Sequence, residues 1–199
     1  MIKNIIFDFG NVLVDYNSHR IYDSYFGDVA KAGWFRENII LKKLIRQLDI
    51  GEDFEECLRI AQKENPEYAE AIAMYGSHYY KMDGGVILGM FNLLTTLSDK
   101  GFRLYGLTNW SYKVYEVIKR HTIFSLLEGY VISSEIHLLK PDPKIYIHLT
   151  EKFSLRPNEC LFIDDKLENV EGAENVGMHG IQFFNAEQLT TTLYQLSLT

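Results

Sequence analysis

Short apolar runs punctuate the chain at intervals. Residues 2–9 (IKNIIFDF) are apolar and β-branched and stop at Gly10-Asn11, the pattern of a buried strand closed by a turn. Similar runs at 103–108 (RLYGLT), 129–133 (GYVIS), 160–164 (CLFID) and 179–183 (HGIQF) read as four further strands. Between them the apolar period lengthens to that of a helix. Over 86–98, Val86, Met90, Leu93, Leu94 and Leu97 share one face, and Gly101 is the stop signal. Ser111 is placed to cap a helix carrying Val114, Val117 and Ile118. Asp142-Pro143 suits a helix cap followed by a first-turn proline. Val170, Ala173 and Val176 stripe another helix, closed by Gly177.

From residue 85 onward, helix and strand alternate. That order predicts an α/β fold whose mostly parallel sheet is covered on both faces, a Rossmann-like three-layer core. The first strand belongs to the same sheet, but a long segment separates it from the rest. Residues 16–82 contain no convincing strand. Mixtures such as NIILKKLIRQL and DFEECLRIAQKE read as amphipathic helices. The expected organisation is a core made of 1–15 and 83–199, with a helical subdomain, 16–82, inserted after the first strand.

Composition narrows the partners. The 199 residues are 47% apolar, enough for a sizeable core, and carry a net charge of −7. A nucleic-acid backbone needs clustered Lys and Arg, so the charge argues against it as the main partner. A small phosphate ester is not, since a metal or a few local cations can hold it. The two cysteines, Cys57 and Cys160, have neither disulfide-framework nor zinc spacing. The apolar run at the N-terminus is interrupted by Asp8 and is too short for a signal peptide or membrane span. A cytoplasmic protein with no membrane partner is the expectation.

In an open parallel sheet, ligands bind outside the carboxyl ends of the strands. Those ends carry Asp8, Thr108-Asn109 and Asp164-Asp165, and Lys140 lies in the loop after the third strand. Three carboxylates, a hydroxyl, an amide and an ammonium are therefore expected on one rim. Clustered carboxylates repel and need a cation; an all-oxygen set suits magnesium, which is often bound beside a phosphate. A carboxylate between a metal and an ammonium has a lowered pKa and can act as a covalent nucleophile. Thr108 can donate a hydrogen bond to a transferring oxygen.

These segments, FDFGNVL, LYGLTN, LLKPDPKIY and CLFIDDKLENVEGAENVGMHG, resemble in order the four motifs of the haloacid dehalogenase (HAD) superfamily, most of whose members are phosphatases. The match covers 1–15 and about 85–184. The wording of the first motif is similar to that of small sugar-phosphate phosphatases and of epoxide-hydrolase-type phosphatase domains. The resemblance implies a helical cap over the active site and Asp8 as both nucleophile and metal ligand. It implies that Thr108, Asn109 and Lys140 hold the phosphoryl group. Asp165 becomes the main metal ligand of the fourth motif and Asp164 its assistant, with Asn169 orienting the loop or metal-bound water.

One position departs. Where the family's phosphatases carry a second Asp, this chain has Gly10. That Asp donates a backbone carbonyl to the metal, which glycine keeps, and a side-chain general acid and base, which glycine lacks. Asp15, Asn11, His19, His78, Tyr79 and Tyr80 are candidate substitutes. The resemblance thus implies a magnesium-dependent hydrolase, a phosphatase of a small phosphorylated metabolite such as a sugar phosphate, working through an aspartyl-phosphate on Asp8 as a monomer or homodimer. The alternatives are a 2-haloacid dehalogenase, whose family relatives also lack the second Asp, and a slow or non-catalytic phosphate-binding protein. Trp34-Phe35 and the aromatic-rich stretch 74–82 either line the pocket or pack the cap's helices.

Overall fold

The computed structural model describes residues 1–198. Strand β1 (Asn4–Phe7) runs up the middle of a five-stranded sheet. After it the chain forms β2 (Val14–Tyr16), then the helices α1 (His19–Phe26) and α2 (Val29–Phe35). A π-helical stretch, Arg36–Ile45, leads without a break into α3 (Arg46–Asp49). Helices α4 (Phe54–Glu64) and α5 (Ala69–Ser77) follow, and β3 (Asp83–Val86) returns the chain to the sheet. The rest alternates: α6 (Met90–Asp99), β4 (Arg103–Thr108), α7 (Val114–Arg120), β5 (Gly129–Ile132), α8 (Ser133–Ile136), α9 (Pro143–Lys152), β6 (Cys160–Asp164), α10 (Leu167–Glu174), β7 (His179–Gln182) and α11 (Ala186–Gln195).

The large sheet has the order β5-β4-β1-β6-β7 and is parallel throughout. Side chains along a strand point alternately to opposite faces, and the packing follows that period. Ile5 and Phe7 join Leu161 and Ile163 in one buried cluster with Met90, Leu94 and Leu193. Ile6 joins Phe162 on the other face with Tyr146, Leu149 and Ala173. Helices therefore cover both faces, and the α/β, three-layer reading holds. The helices between β2 and β3 bury a cluster of their own, centred on Tyr22, Phe35, Ile40, Phe54 and Ile72.

Local expectations fare unevenly. Asp142 caps α9, its carboxylate accepting from the Lys144 N–H at 2.9 Å. Ser111 does not cap α7 with its hydroxyl; its backbone carbonyl accepts from Val114 at 3.0 Å, and Lys113 is the residue before the helix. Val176 lies past the end of α10. The helix expected over 86–98 starts only at Met90, and Val86 instead pairs with Val14 in a small antiparallel sheet, β2-β3. The cause is local: Gly89 at φ 92° is left-handed, a conformation that interrupts helix at no steric cost only for glycine.

Candidate active site

Register builds the site. Asp8 directly follows β1, and its N–H donates to the Ile163 carbonyl at 2.9 Å. Phe7 lies across from Gly106 on one side and Ile163 on the other, so the strand ends bring Thr108, Asp8 and Asp164 to one edge. The loop after α8 brings Lys140 in from the side.

Lys140 is the hub. Its ammonium lies 2.6 Å from Asp164 Oδ2, 3.0 Å from Asp8 Oδ1 and 3.0 Å from the Leu107 carbonyl. Three N–H groups thus meet three acceptors, on a side chain only 1% exposed, and no donor is left over for a phosphoryl oxygen. Asn109 clamps the same residue: its amide donates to the Lys140 carbonyl at 3.0 Å and its Oδ1 accepts from the Lys140 N–H at 2.8 Å. Asn169 donates to both oxygens of the fully buried Asp164, at 3.0 and 3.1 Å, and the Lys166 N–H adds a bond of 2.8 Å.

The charges are unevenly balanced. Burial pushes the Asp8 carboxyl up to about 6; Lys140 opposes this, while Asp164 and Asp165 add to it. Desolvation of the buried carboxylate thus outweighs the one shared ammonium. Lys140 itself is depressed by burial, but Asp164 and Asp8 more than reverse this and hold it above its ordinary value. Asp165 is raised by burial and by Asp164. One oxygen from each of Asp8, Asp164 and Asp165 lies within 4.8 Å of the others, a close all-oxygen set short of positive charge. That chemistry fits a hard divalent cation such as magnesium. Asp8, Asp164 and Asp165 are the residues that could hold it.

A cavity of about 170 Å³ opens over this edge, walled on the sheet side by Asp8, Gly10, Thr108, Asn109 and Asp165. The helical side supplies Leu41 and Ile45 of the π-helical stretch, Asp49 at the end of α3, and Tyr75. A second cavity of about 410 Å³ shares Asn11, Tyr16, Leu41, Ile45, Tyr75 and Lys166 with the first and reaches outward to His19 and Arg36. Lys166, Asp49 and Trp110 were not legible as site residues. Lys166 follows the acidic pair and had no motif of its own, and Asp49 and Trp110 reach the cavity only through tertiary packing.

Most of the candidate substitutes for an acid at position 10 are engaged elsewhere or lie outside the inner cavity. Asp15 pairs with Arg20, and His19 with Asp23. His78 bonds to Ser77, and Tyr80 is half exposed; neither lines the cavity. Tyr79 accepts from the Trp110 indole N–H at 2.6 Å, and burial pushes its hydroxyl up to about 12. Asn11, at φ 59°, lines the cavity but has no proton to give as an acid. Of the aromatics, Phe35 is core and Trp34 packs against Tyr68, whereas Tyr75 does face the cavity.

The model of one protein family, the haloacid dehalogenase-like hydrolases, matches residues 2–177. The chain belongs to that family. Curated relatives of this HAD-like hydrolase include the chloroplast flavin mononucleotide hydrolase 1 of Arabidopsis thaliana, 33% identical over 111 residues, which are 55% of this chain and 45% of that one. A glyceraldehyde 3-phosphate phosphatase of Methanopyrus kandleri is 33% identical over 87 residues, covering 43% of this chain and 37% of its own. The chain thus spans about half or less of the length of these relatives. Among solved structures, a HAD-like family hydrolase from Porphyromonas gingivalis superposes with a TM-score of 0.76 at 23% identity, over 99% of this chain and 98% of that one. A HAD family enzyme from Bacteroides thetaiotaomicron, in complex with magnesium and inorganic phosphate, gives 0.73 at 20% identity, over 96% and 99%. These likenesses establish the fold. No helix among the described residues is long and apolar enough to cross a membrane.

Proposed function

We propose that this HAD-like hydrolase is a magnesium-dependent phosphatase of a small phosphorylated metabolite, acting through an aspartyl-phosphate on Asp8. The observation that carries the reading is the Asp8-Asp164-Asp165 cluster beside Lys140 at the base of a small cavity. A 2-haloacid substrate gives no reason to gather three carboxylates, whereas a phosphate ester with its metal does. Two relatives, a flavin mononucleotide hydrolase and a glyceraldehyde 3-phosphate phosphatase, bear names of the same reaction class.

In this reading Asp8 Oδ attacks phosphorus and displaces the alcohol oxygen; water then hydrolyses the aspartyl-phosphate and regenerates Asp8. Lys140 keeps Asp8 ionised and aimed, and its own full set of acceptors makes it a positioning group rather than a phosphoryl ligand. Thr108 and Asn109 face the phosphoryl oxygens. Bound magnesium would neutralise the carboxylates and the phosphoryl charge. Residues 16–82 act as the cap, and the outer cavity, with His19 and Arg36 at its rim, takes the body of the substrate.

Phosphate release from a panel of small phosphate esters, with magnesium and with chelator, tests the proposal. Metal-dependent turnover that vanishes in Asp8→Asn is expected. No turnover above the Asp8→Asn control, or halide release from 2-chloropropionate in chelator, would overturn it.

A further inference from the structure

Three acidic residues line the inner cavity: Asp8, Asp165 and Asp49. The first two belong to the cation cluster. Asp49 does not, and it forms no salt bridge among the described residues. It also sits at the C-terminal end of a helix, where the helix dipole disfavours a carboxylate. Folding stability alone gives no reason for an acid in this place.

The core nevertheless holds it there. The Ser133 hydroxyl donates to the Asp49 carbonyl at 2.5 Å, and the His137 ring pairs with the Ile50 carbonyl at 2.7 Å. Gly51, at φ 99°, lets the chain run so close that an added Cβ would collide with the Ser134 carbonyl. Ser133 also accepts from the Trp110 N–H at 2.9 Å, tying Asp49 to the residue whose ring covers Gly10. A Cβ built on Gly10 would lie 3.4 Å from that ring. The carboxyl of α3 and the vacant side-chain position of Gly10 thus face the same cavity around Trp110.

Resting on the phosphatase reading, we propose that Asp49, supplied by the cap, is the general acid and base that position 10 lacks. When Asp8 attacks, the P–O bond to the alcohol breaks, its electron pair stays on the leaving oxygen, and that oxygen takes the Asp49 proton. In the second half, water attacks the aspartyl phosphorus and passes a proton to the Asp49 carboxylate, releasing hydrogen phosphate and restoring both residues. The environment is suited to holding that proton. Burial raises Asp49 to about 7; Lys166 opposes, Asp8 adds to the rise, and Lys140 and the Ser111 N–H oppose. An acid poised near neutrality is the effective one.

The test compares kcat/KM, which reports the first half-reaction, for an alkyl phosphate and for p-nitrophenyl phosphate, whose leaving phenolate needs no proton. Asp49→Asn is expected to lower the alkyl value by about 10²–10⁴-fold and the aryl value by less than about tenfold. Asp49→Ala, read the same way, guards against a folding artefact in the first variant. Equal losses on both esters, or no loss on either while turnover still requires Asp8, would overturn the role of Asp49. Absence of any Asp8-dependent phosphate release from the unmodified protein would instead overturn the phosphatase reading beneath it.

Discussion

Two aspartates at this site contrast sharply. Asp164 ends a central strand, is fully buried, and has Lys140, Asn169 and the Lys166 N–H as partners. Asp49 ends helix α3, is partly exposed, and has no ion-pair partner among the described residues. The first is a charge made affordable by its surroundings, and it organises the site without needing to move a proton. The second is left with a high proton affinity, which suits chemistry better than stability. The contrast is between a carboxylate fully engaged by partners and one left without a counter-ion.

The largest effects separate these regions. Asp8→Asn removes the proposed nucleophile, and turnover of any phosphate ester is expected to fall by at least about 10⁴-fold in a steady-state assay. Lys140→Met leaves Asp8 and Asp164 buried without their shared counter-charge. Denaturant melts at pH 7 should show a loss of about 3–5 kcal/mol. Neither residue has a counterpart on the Asp49 side whose removal costs as much stability.

Asp49→Asn is expected to act in the opposite sense on stability. The carboxyl lies near 7 in the folded chain against 3.8 ordinarily. The folded state therefore binds its proton more tightly, and the stability this contributes is fully present below about pH 4 and is lost as pH rises through about 7. The whole shift converts to about 4 kcal/mol, and partial solvent exposure screens it to on the order of 1–2 kcal/mol. Thermal melts of Asp49→Asn at pH 8 should accordingly equal or exceed those of the unmodified chain, with a flatter dependence between pH 4 and 7. Lower stability of the variant at pH 8 would contradict the contrast. The smallest effect is that of Ser133→Ala, which loosens Asp49 from the core. It should cost about 1 kcal/mol in melts and reduce alkyl more than aryl phosphate turnover.

Most of the sheet-side site was legible because its geometry is local. A residue that directly follows a buried strand, as Asp8 and Asp165 do, or ends one, as Thr108 and Asp164 do, must sit at the sheet edge once the sheet is parallel. Asp49 was not legible. Its stretch, RQLDIGED, reads as a polar helix end, and only the docking of α3 on α8 brings it to the cavity that Asp8 lines. The β2-β3 ribbon was hidden for a related reason. Its strands are three and four residues long, and one of them is half glycine, so neither carries a period of its own.

Rapid acid quench during turnover of a small phosphate ester with magnesium, followed by peptide mass spectrometry, tests the central claim most directly. A phosphoryl group on the peptide containing Asp8, absent from Asp8→Asn and from chelator-treated protein, is the result expected. Phosphate release with no modification at Asp8, together with full activity of Asp8→Asn, would contradict it.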